Sequence, residues 1–170
     1  SVDEMTGFAL RYGDLYKTID GGLNWTLAYE VYGSLTEIDF VNPMVGYISA
    51  EFGIVLKTTD GGLTWDEKET TYDHLLAIDF LNENIGFASG EYGSHFLTVD
   101  GGNTWTSYSI PAQIRKIAIT SENKIFVGGL YGALLSRVFE FPDVSLHAMS
   151  AESIKASTAI LHASVATNSS

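Results

Sequence analysis

The chain has 170 residues, the length of one domain, and its 45% hydrophobic and 18% charged residues exclude a disordered segment. Its 21 acidic and 9 basic residues give a formal net charge of -12, which excludes nucleic acid and anionic membrane surfaces as partners. The lack of cysteine excludes disulfides and thiolate metal sites, and no apolar run approaches the ~18 residues of a membrane-spanning helix.

The sequence repeats with a period of 40 residues. Near-identical segments occupy residues 17–25, 57–65 and 97–105, with aspartates at 20, 60 and 100 and tryptophans at 25, 65 and 105. An aromatic residue followed by glycine precedes each segment by the same distance. These pairs are Tyr12-Gly13, Phe52-Gly53 and Tyr92-Gly93, and a fourth, Tyr131-Gly132, lies one residue short of the next period. The sequence therefore predicts a fourth repeat, whose segment has diverged to Phe139-Glu140-Phe141-Pro142.

Each repeat predicts four short strands, placed in the second repeat at 35–41, 45–50, 54–59 and 64–70. These stretches alternate apolar and polar residues and are separated by Asn-Pro, Phe-Gly and Asp-Gly-Gly breakers. Four antiparallel strands in about 40 residues are typical of a propeller blade. We therefore predict an all-β propeller of about four four-stranded antiparallel blades over residues 1–149, as a small closed ring or an open partial propeller.

The two ends of the chain depart from the repeat. Residues 3–8 correspond to 42–47 and 82–87, so the first blade is expected to lack its innermost strand. Within a separate segment, 150–170, residues 155–164 could supply that strand. The same segment also fits a helix after Ser150 or a flexible tail. In an open arc, another subunit would cover the exposed sheet edges, which leaves a homo-oligomer open.

The repeated segment is expected to form the hairpin between the third and fourth strands of a blade. Paired glycines allow positive φ, the aspartate accepts backbone N–H bonds, the threonine adds a hydroxyl bond, and the tryptophan packs between sheets. We assign these residues to architecture and none to catalysis. They are Thr18, Asp20, Gly22 and Trp25; Thr58, Asp60, Gly62 and Trp65; and Thr98, Asp100, Gly102 and Trp105.

These segments resemble the Asp-box, or bacterial neuraminidase repeat, motif. The longer pattern from Val45 to Trp65 resembles the photosystem II stability/assembly factor family, and the resemblance covers about residues 5 to 138. It implies a non-enzymatic propeller, exported to the thylakoid lumen, periplasm or cell exterior, that holds a membrane-protein partner. The chain departs from that family in its blade number, about four against about seven. It also has only Arg11, Arg115 and Arg137 where the family is associated with an arginine-rich patch.

A candidate binding face is expected opposite the Asp boxes, where the loops between strands two and three meet those between strands four and one. Its predicted members are Tyr12, Phe52, Tyr92, Tyr131, Glu51 and Glu91, beside Arg11, with Tyr32 and Tyr72 in the other loops. Aromatic residues edged with carboxylates suit protein recognition and could also stack on sugars. The alternative is that these rings fold inward and hold adjacent blades together.

Two further groups of residues have side chains that can bind metal ions. Asp39 and Asp79 take equivalent places on innermost strands, where they could hold a cation such as Ca²⁺ or bond to neighbouring backbone. The histidines have no metal-ligand spacing and are expected in loops or at the surface. They are His74, His95, His147 and His162. We predict no metal and no cofactor.

The functional prediction is a non-enzymatic, exported protein-interaction or scaffold module, acting as an accessory subunit of a membrane-protein complex. A sialidase would need an arginine triad and a tyrosine–glutamate pair, and three scattered arginines do not supply it. No carboxylate pair stands out for another glycosidase. The alternative is a carbohydrate-binding or glycoside-hydrolase-type fragment.

Overall fold

The computed structural model describes residues 4–71, 73–109, 114–120, 124–129 and 134–138. All of them belong to one compact unit, residues 1–138. They form antiparallel strands and short 3₁₀ turns, and none of them forms a helix that could cross a membrane. The predicted roles of residues 150–170 and of the fourth diverged segment at 139–142 lie outside the described residues.

The described residues build four sheets in chain order. The first contains β1 (Gly7–Arg11), β2 (Asp14–Thr18) and β3 (Thr26–Glu30). The second contains β4 (Leu35–Phe40), β5 (Gly46–Ala50), β6 (Ile54–Thr58) and β7 (Asp66–Glu69). The third contains β8 (Leu75–Phe80), β9 (Gly86–Gly90), β10 (Ser94–Thr98) and β11 (Thr106–Ser109), and the fourth contains β12 (Ile114–Ile119), β13 (Lys124–Gly129) and β14 (Leu134–Val138). Short 3₁₀ turns at Glu51–Gly53 and Glu91–Gly93 join β5 to β6 and β9 to β10.

Each sheet is a simple antiparallel meander, the form of a propeller blade. The strand order follows the sequence in every sheet, and the innermost strand β8 lies between β4 and β12. The predicted all-β propeller fold is therefore confirmed, with two four-stranded blades and two sheets of three strands. The first blade begins at the strand equivalent to β5, and the described residues do not form a closed ring.

The core lies between neighbouring blades because each sheet has two apolar faces. One buried cluster joins the first two blades and includes Leu15, Ile48 and Leu56. A second joins the second and third blades and includes Val55 and Ile78. The outermost strand β7 is Asp-Glu-Lys-Glu and fully exposed, so its charges keep the outer sheet edge polar.

An aromatic and lysine junction connects the first blade to the second. The antiparallel register places Phe8 opposite Lys17, and the Lys17 ammonium lies 5.4 Å from the centre of the Phe8 ring. Phe8 stacks on Phe40 with centroids 4.9 Å apart, and Trp65 meets both rings edge-on. Lys17 Nζ then donates to the Gly61 carbonyl in the second Asp box, at 2.8 Å. One blade thus holds the box turn of the next.

The junction between the second and third blades repeats this arrangement one period later. Tyr47 pairs with Lys57, whose Nζ lies 5.4 Å from the Tyr47 ring and donates to the Gly101 carbonyl at 2.9 Å. Tyr47 stacks on Phe80, and Trp105 meets Phe80 edge-on at 6.0 Å. Equivalent residues therefore make equivalent contacts at both junctions.

Tyr47 adds one bond that phenylalanine cannot make. Its hydroxyl donates to the Glu83 carbonyl in the third blade at 2.9 Å. Burial, followed by the nearby carboxylates of Glu83 and Asp39, raises the pKa of Tyr47 to about 12. The phenol therefore stays protonated and remains a hydrogen-bond donor at neutral pH.

The third blade lacks the residues that make this junction. Leu97 replaces the lysine and cannot donate a bond, while Thr120 stands where Phe40 and Phe80 stand in the earlier repeats. Phe87 instead stacks on His95 within its own blade, with centroids 5.8 Å apart. His95 is fully buried, so the expectation that the histidines lie at the surface or in loops is wrong for this one. The lysine is missing in the same repeat whose following segment, 139–142, has diverged.

Replacing Lys57 with methionine should lower stability by about 1–2 kcal/mol. The variant keeps most of the aliphatic packing but loses a charge-assisted hydrogen bond and a cation–π contact. Urea unfolding of both proteins measures the difference. Lys68→Met is the control, because Lys68 is exposed and donates to the exposed side chain of Asn103 and not to a backbone carbonyl of an Asp box. Equal losses in the two variants would contradict a special role for Lys57.

Candidate functional site

The Asp boxes form three nearly identical hydrogen-bonded turns. In the second box, Thr58 Oγ1 donates to Asp60 Oδ1 at 2.8 Å and accepts from the Gly62 N–H at 2.9 Å. Asp60 Oδ1 also accepts from the backbone N–H of Leu63 and Thr64, and Oδ2 accepts from the Thr64 hydroxyl. The first and third boxes repeat the pattern around Asp20 and Asp100. Each carboxylate is occupied by the turn itself.

The charge state of the boxes follows from these bonds. The Asn24 N–H, the Asn24 side chain and the Thr18 hydroxyl together hold the pKa of Asp20 at about 2. The Thr64 hydroxyl and N–H hold the pKa of Asp60 well below its ordinary value. A carboxylate that stays ionised and fully bonded serves poorly as a proton donor or nucleophile.

The three box tryptophans do not share one environment. Trp65 is 7% exposed between the first two blades, and Trp105 packs against the core between the second and third. Trp25 departs from the expected packing between sheets, because 43% of its surface is exposed. Its Nε1 donates to the Gly22 carbonyl at 3.1 Å inside its own box.

At the other end of the blades, the aromatic residues of the predicted binding face sit in strained turns. Tyr12, Phe52 and Tyr92 have φ of 53°, 61° and 59°, the left-handed region that residues with a side chain rarely adopt. The following glycine explains the turn: a Cβ on Gly53 would lie 2.0 Å from the Thr71 carbonyl oxygen. The crossing backbone therefore requires glycine there, directly after the aromatic residue in the left-handed conformation.

The strained residues project their side chains to solvent. Tyr12 is 79% exposed, Tyr92 is 89% exposed and Phe52 is 41% exposed. Phe52 is less exposed because its ring stacks on Tyr32 at 5.6 Å and contacts His74 at 5.0 Å. We call these five residues, Tyr12, Tyr32, Phe52, His74 and Tyr92, the aromatic face.

The connections between blades bring these turns together. The Leu35 N–H donates to the Tyr12 carbonyl at 2.6 Å, and the Glu51 N–H donates to the Ser34 carbonyl at 2.9 Å. One period on, the Glu91 N–H donates to the His74 carbonyl at 2.9 Å. The Tyr12 turn is thus bonded to the start of the next blade, whereas the turns at Glu51 and Glu91 are bonded to the connection that enters their own blade.

The remaining predicted members of the face have separate roles or lie outside the described residues. The Glu51 carboxylate accepts the Ser34 N–H at 3.0 Å, which orders the connection between the first two blades. Glu91 is half-buried at the equivalent place. Tyr72 and Tyr131 lie outside the described residues. The sequence analysis did not include His74 in the binding face. The 40-residue period makes His74 the equivalent of Ser34, which bonds to the turn at Glu51.

The inner carboxylates bond to backbone in the neighbouring blade. Asp39 Oδ2 accepts the Phe80 N–H at 2.9 Å, and Asp79 Oδ2 accepts the Ile119 N–H. Glu37 accepts the Ile78 N–H at 3.2 Å and forms an ion pair with Lys116 of the fourth blade. Across the described residues no group of acidic or histidine side chains is arranged to hold a metal ion.

Comparison with solved structures identifies the fold. A structure of YCF48 bound to D1 peptide has a TM-score of 0.65 and 20% identity, and the match covers 82% of this chain and 50% of that one. YCF48 from Cyanidioschyzon merolae has a TM-score of 0.61, with 19% identity over 72% of this chain and 43% of that one. An ancestral GH74 enzyme has a TM-score of 0.62, with 13% identity over 81% of this chain and 24% of that one.

These similarities show the propeller fold, and this chain spans half or less of the length of each of the three structures. No protein-family model and no curated protein matches the chain. The Asp-box family assignment made from the sequence therefore stays a prediction.

Replacing Asp79 with asparagine should change how stability depends on pH. Burial raises the pKa of Asp79 to about 6, and the nearby negative charges of Asp39 and Glu37 add to this effect. The folded state then binds a proton more readily than the unfolded chain, so this group weakens folding as pH rises from about 4 to about 6. Asparagine keeps an acceptor for the Ile119 N–H and removes the titration.

The free energy of unfolding of Asp79→Asn should therefore rise by about 1 kcal/mol relative to wild type between pH ~4 and pH ~7. This value is smaller than the pKa shift alone would give, because the carboxyl group is partly exposed and its interactions are screened by solvent. Urea unfolding at both pH values measures the change. Asp66→Asn, at an exposed position on β7, is the control for the loss of one negative charge. Stability curves for Asp79→Asn and wild type that stay parallel would refute the account.

Replacing Tyr92 with asparagine should leave stability unchanged or raise it by up to about 1 kcal/mol. Asparagine adopts the left-handed region more readily than tyrosine, and the exposed ring contributes little burial. Urea unfolding is the measurement. Tyr108→Asn in the extended strand β11 is the control and should destabilise, because asparagine is unfavourable in strands. A loss above about 1 kcal/mol at Tyr92 would show that the ring holds the blades together.

Proposed function

We propose that this protein is a non-enzymatic protein-interaction module that binds its partner through the aromatic face. The observation that carries the proposal is the repeated placement of exposed aromatic side chains on strained turns. Tyr12 and Tyr92 keep a left-handed backbone while their rings contribute little to the core. Strain of this kind is concentrated at functional sites, where it is part of the mechanism.

The chemistry of the face suits a polypeptide. Aromatic rings provide large contact area at low entropic cost and are enriched at the centres of protein interfaces. Tyr32 stacks on Phe52, and Phe52 contacts the tilted ring of His74, so the three rings form a continuous row on which an apolar side chain can lie. The formal net charge of -12 favours a partner segment that carries lysine or arginine, and it speeds their association.

The solved structures are consistent with this reading. YCF48, whose fold this chain shares, has been solved with D1 peptide bound, so a propeller of this kind can hold a peptide. From the family resemblance we further propose an exported protein, in the thylakoid lumen, periplasm or cell exterior, that serves as an accessory subunit of a membrane complex. A homo-oligomer would be compatible with that role.

The alternative is a carbohydrate-binding or glycoside-hydrolase-type fragment. It is favoured by the fold shared with the ancestral GH74 enzyme and by the ability of exposed tyrosines to stack on sugar rings. Hydrolysis is disfavoured because the candidate carboxylates are already bonded within this chain. The box carboxylates bond to backbone N–H and hydroxyl groups, and Asp39 and Asp79 on the innermost strands bond to backbone N–H groups.

A peptide array and a glycan array tested in parallel separate the two functions. We expect binding to synthetic peptides that combine an aromatic residue with lysine or arginine, weaker binding at high salt, and no binding to polysaccharides. Replacing Tyr12 and Tyr92 together with asparagine should weaken peptide binding at least tenfold. Leu63→Asn is the control, because Leu63 is an exposed apolar residue of the second Asp box, and this variant should bind the peptides as wild type does. Retained peptide binding by the tyrosine double variant, or binding to polysaccharide alone, would reject the proposal.

A further inference from the structure

Two equivalent turns of the aromatic face differ in what surrounds the ring. Phe52 is 41% exposed and Tyr92 is 89% exposed, although the 40-residue period makes them equivalent. The connection that enters the blade explains the difference, because Gly33 of the second blade is replaced by Asp73 in the third. A Cβ on Gly33 would lie 3.0 Å from the Phe52 ring, so this ring covers the glycine. The side chain of Asp73 takes the equivalent place in the third blade, and the Tyr92 ring stays in solvent.

The carboxylate that precedes each ring also differs between the two turns. The Glu51 carboxylate accepts the Ser34 N–H at 3.0 Å. In the third blade the equivalent N–H belongs to His74, and no described residue donates a hydrogen bond to the Glu91 carboxylate. Glu91 is half-buried. The third turn therefore presents a carboxylate without a hydrogen-bond donor directly before the exposed ring of Tyr92.

Asp73 adds a second carboxylate beside the same turn. Its Cβ lies 3.4 Å from the position of a Cβ built on Gly90, the residue before Glu91. The Ser94 hydroxyl, which directly follows the turn, bonds to the Asp73 carboxylate and lies 2.8 Å from the Glu91 carbonyl oxygen. These contacts fix Asp73 next to the turn that carries Glu91 and Tyr92. The second blade has no equivalent of this arrangement, because glycine stands at position 33.

The charges around the aromatic face select a cation as the complementary group. Arg11 precedes the exposed ring of the first turn, and the strand register pairs it with Asp14 and pairs Asp14 with Glu30. Carboxylates thus outnumber the arginine in that part of the sheet. The formal net charge of -12 acts in the same direction over the whole chain. A cationic group of a partner is therefore attracted to this face, and an anionic group is repelled.

We infer that the third turn binds an arginine side chain of the partner polypeptide, with the guanidinium group on the Tyr92 ring and beside the carboxylates of Asp73 and Glu91. A guanidinium group is planar, so it can stack on an aromatic ring while its N–H groups donate to a carboxylate. This inference rests on the proposed function and assigns one side chain of the ligand to one part of the aromatic face.

The arginine site adjoins the row of rings that is proposed to take an apolar side chain. The His74 ring contacts Phe52 at 5.0 Å, and the His74 carbonyl accepts the Glu91 N–H at 2.9 Å. An extended peptide advances about 3.3 Å per residue. The arginine and the apolar residue of the ligand should therefore be separated by only a few residues.

Synthetic peptides test this inference on the full chain. Each carries one phenylalanine and one arginine, separated by about one to four residues of glycine and serine. Fluorescence anisotropy of the labelled peptides identifies the one that binds most tightly. Replacing its arginine with citrulline keeps the shape of the side chain and removes the charge. We expect the citrulline peptide to bind about tenfold more weakly at low salt, since it loses the ion pair and the cation–π contact.

The matching change in the protein combines Asp73→Asn with Glu91→Gln. It removes both charges and keeps an acceptor for the Ser94 hydroxyl. This variant should bind the arginine peptide about tenfold more weakly and the citrulline peptide like wild type, because both changes remove the same contact. Asp66→Asn combined with Glu69→Gln is the control. It removes two charges from the exposed strand β7 and should weaken binding of the arginine peptide less than about twofold. Circular dichroism should show that both variants are folded.

The outcomes separate this inference from the proposed function. An equal loss of affinity for the arginine and citrulline peptides in the Asp73 and Glu91 variant would overturn the arginine site. So would a loss of the same size in the β7 control, because it would show a general effect of net charge. If the Tyr12 and Tyr92 double variant still loses binding in either case, the proposed function stands. Failure of every peptide of the set to bind the wild-type protein would overturn both.

Discussion

Each blade of this protein depends on its neighbour to cover an apolar face, and the junction between blades is the interaction on which the structure rests. A sheet of four short strands cannot bury both faces by itself. In this protein a set of equivalent contacts covers these faces. A lysine donates to the next Asp box, an aromatic ring stacks on a phenylalanine of the next innermost strand, and a tryptophan packs edge-on against the phenylalanine. The inner aspartates add a backbone bond across the same boundary.

The two ends of a blade are built for different purposes. At the Asp-box end, the threonine and aspartate side chains bond to the turn itself, and these bonds occupy the carboxylates. At the opposite end, the turn is held by backbone bonds and by glycine, while the preceding aromatic side chain points outward at a cost in backbone strain. The blades therefore act as a rigid support on which the aromatic face is displayed.

Much of the fold could be predicted because the same sequence pattern, and therefore the same local structure, occurs several times in the chain. The period of 40 residues and the alternation within it predict the propeller, and the structure confirms it. The second repeat was predicted to have strands at 35–41, 45–50, 54–59 and 64–70. No end of these strands differs from the observed one by more than two residues. The glycines and prolines between strands carry that information locally.

What the sequence could not show depends on which neighbour each residue meets. Trp25 and Trp65 have the same local sequence, but only Trp65 is covered by another blade. The role of Lys17 and Lys57 needs the register between strands and the position of the next box, neither of which a single segment contains. The need for glycine at position 13, directly after the left-handed Tyr12, follows from carbonyls of the connection between β3 and β4 that approach Gly13.

Amide hydrogen exchange, measured residue by residue, tests most directly whether the junctions between blades hold the structure together. We predict that the amides of Phe80 and Ile119, which bond to inner aspartates of the preceding blade, are protected like strand interiors. Exchange at Phe80 and Ile119 as fast as at exposed loop amides would contradict the account.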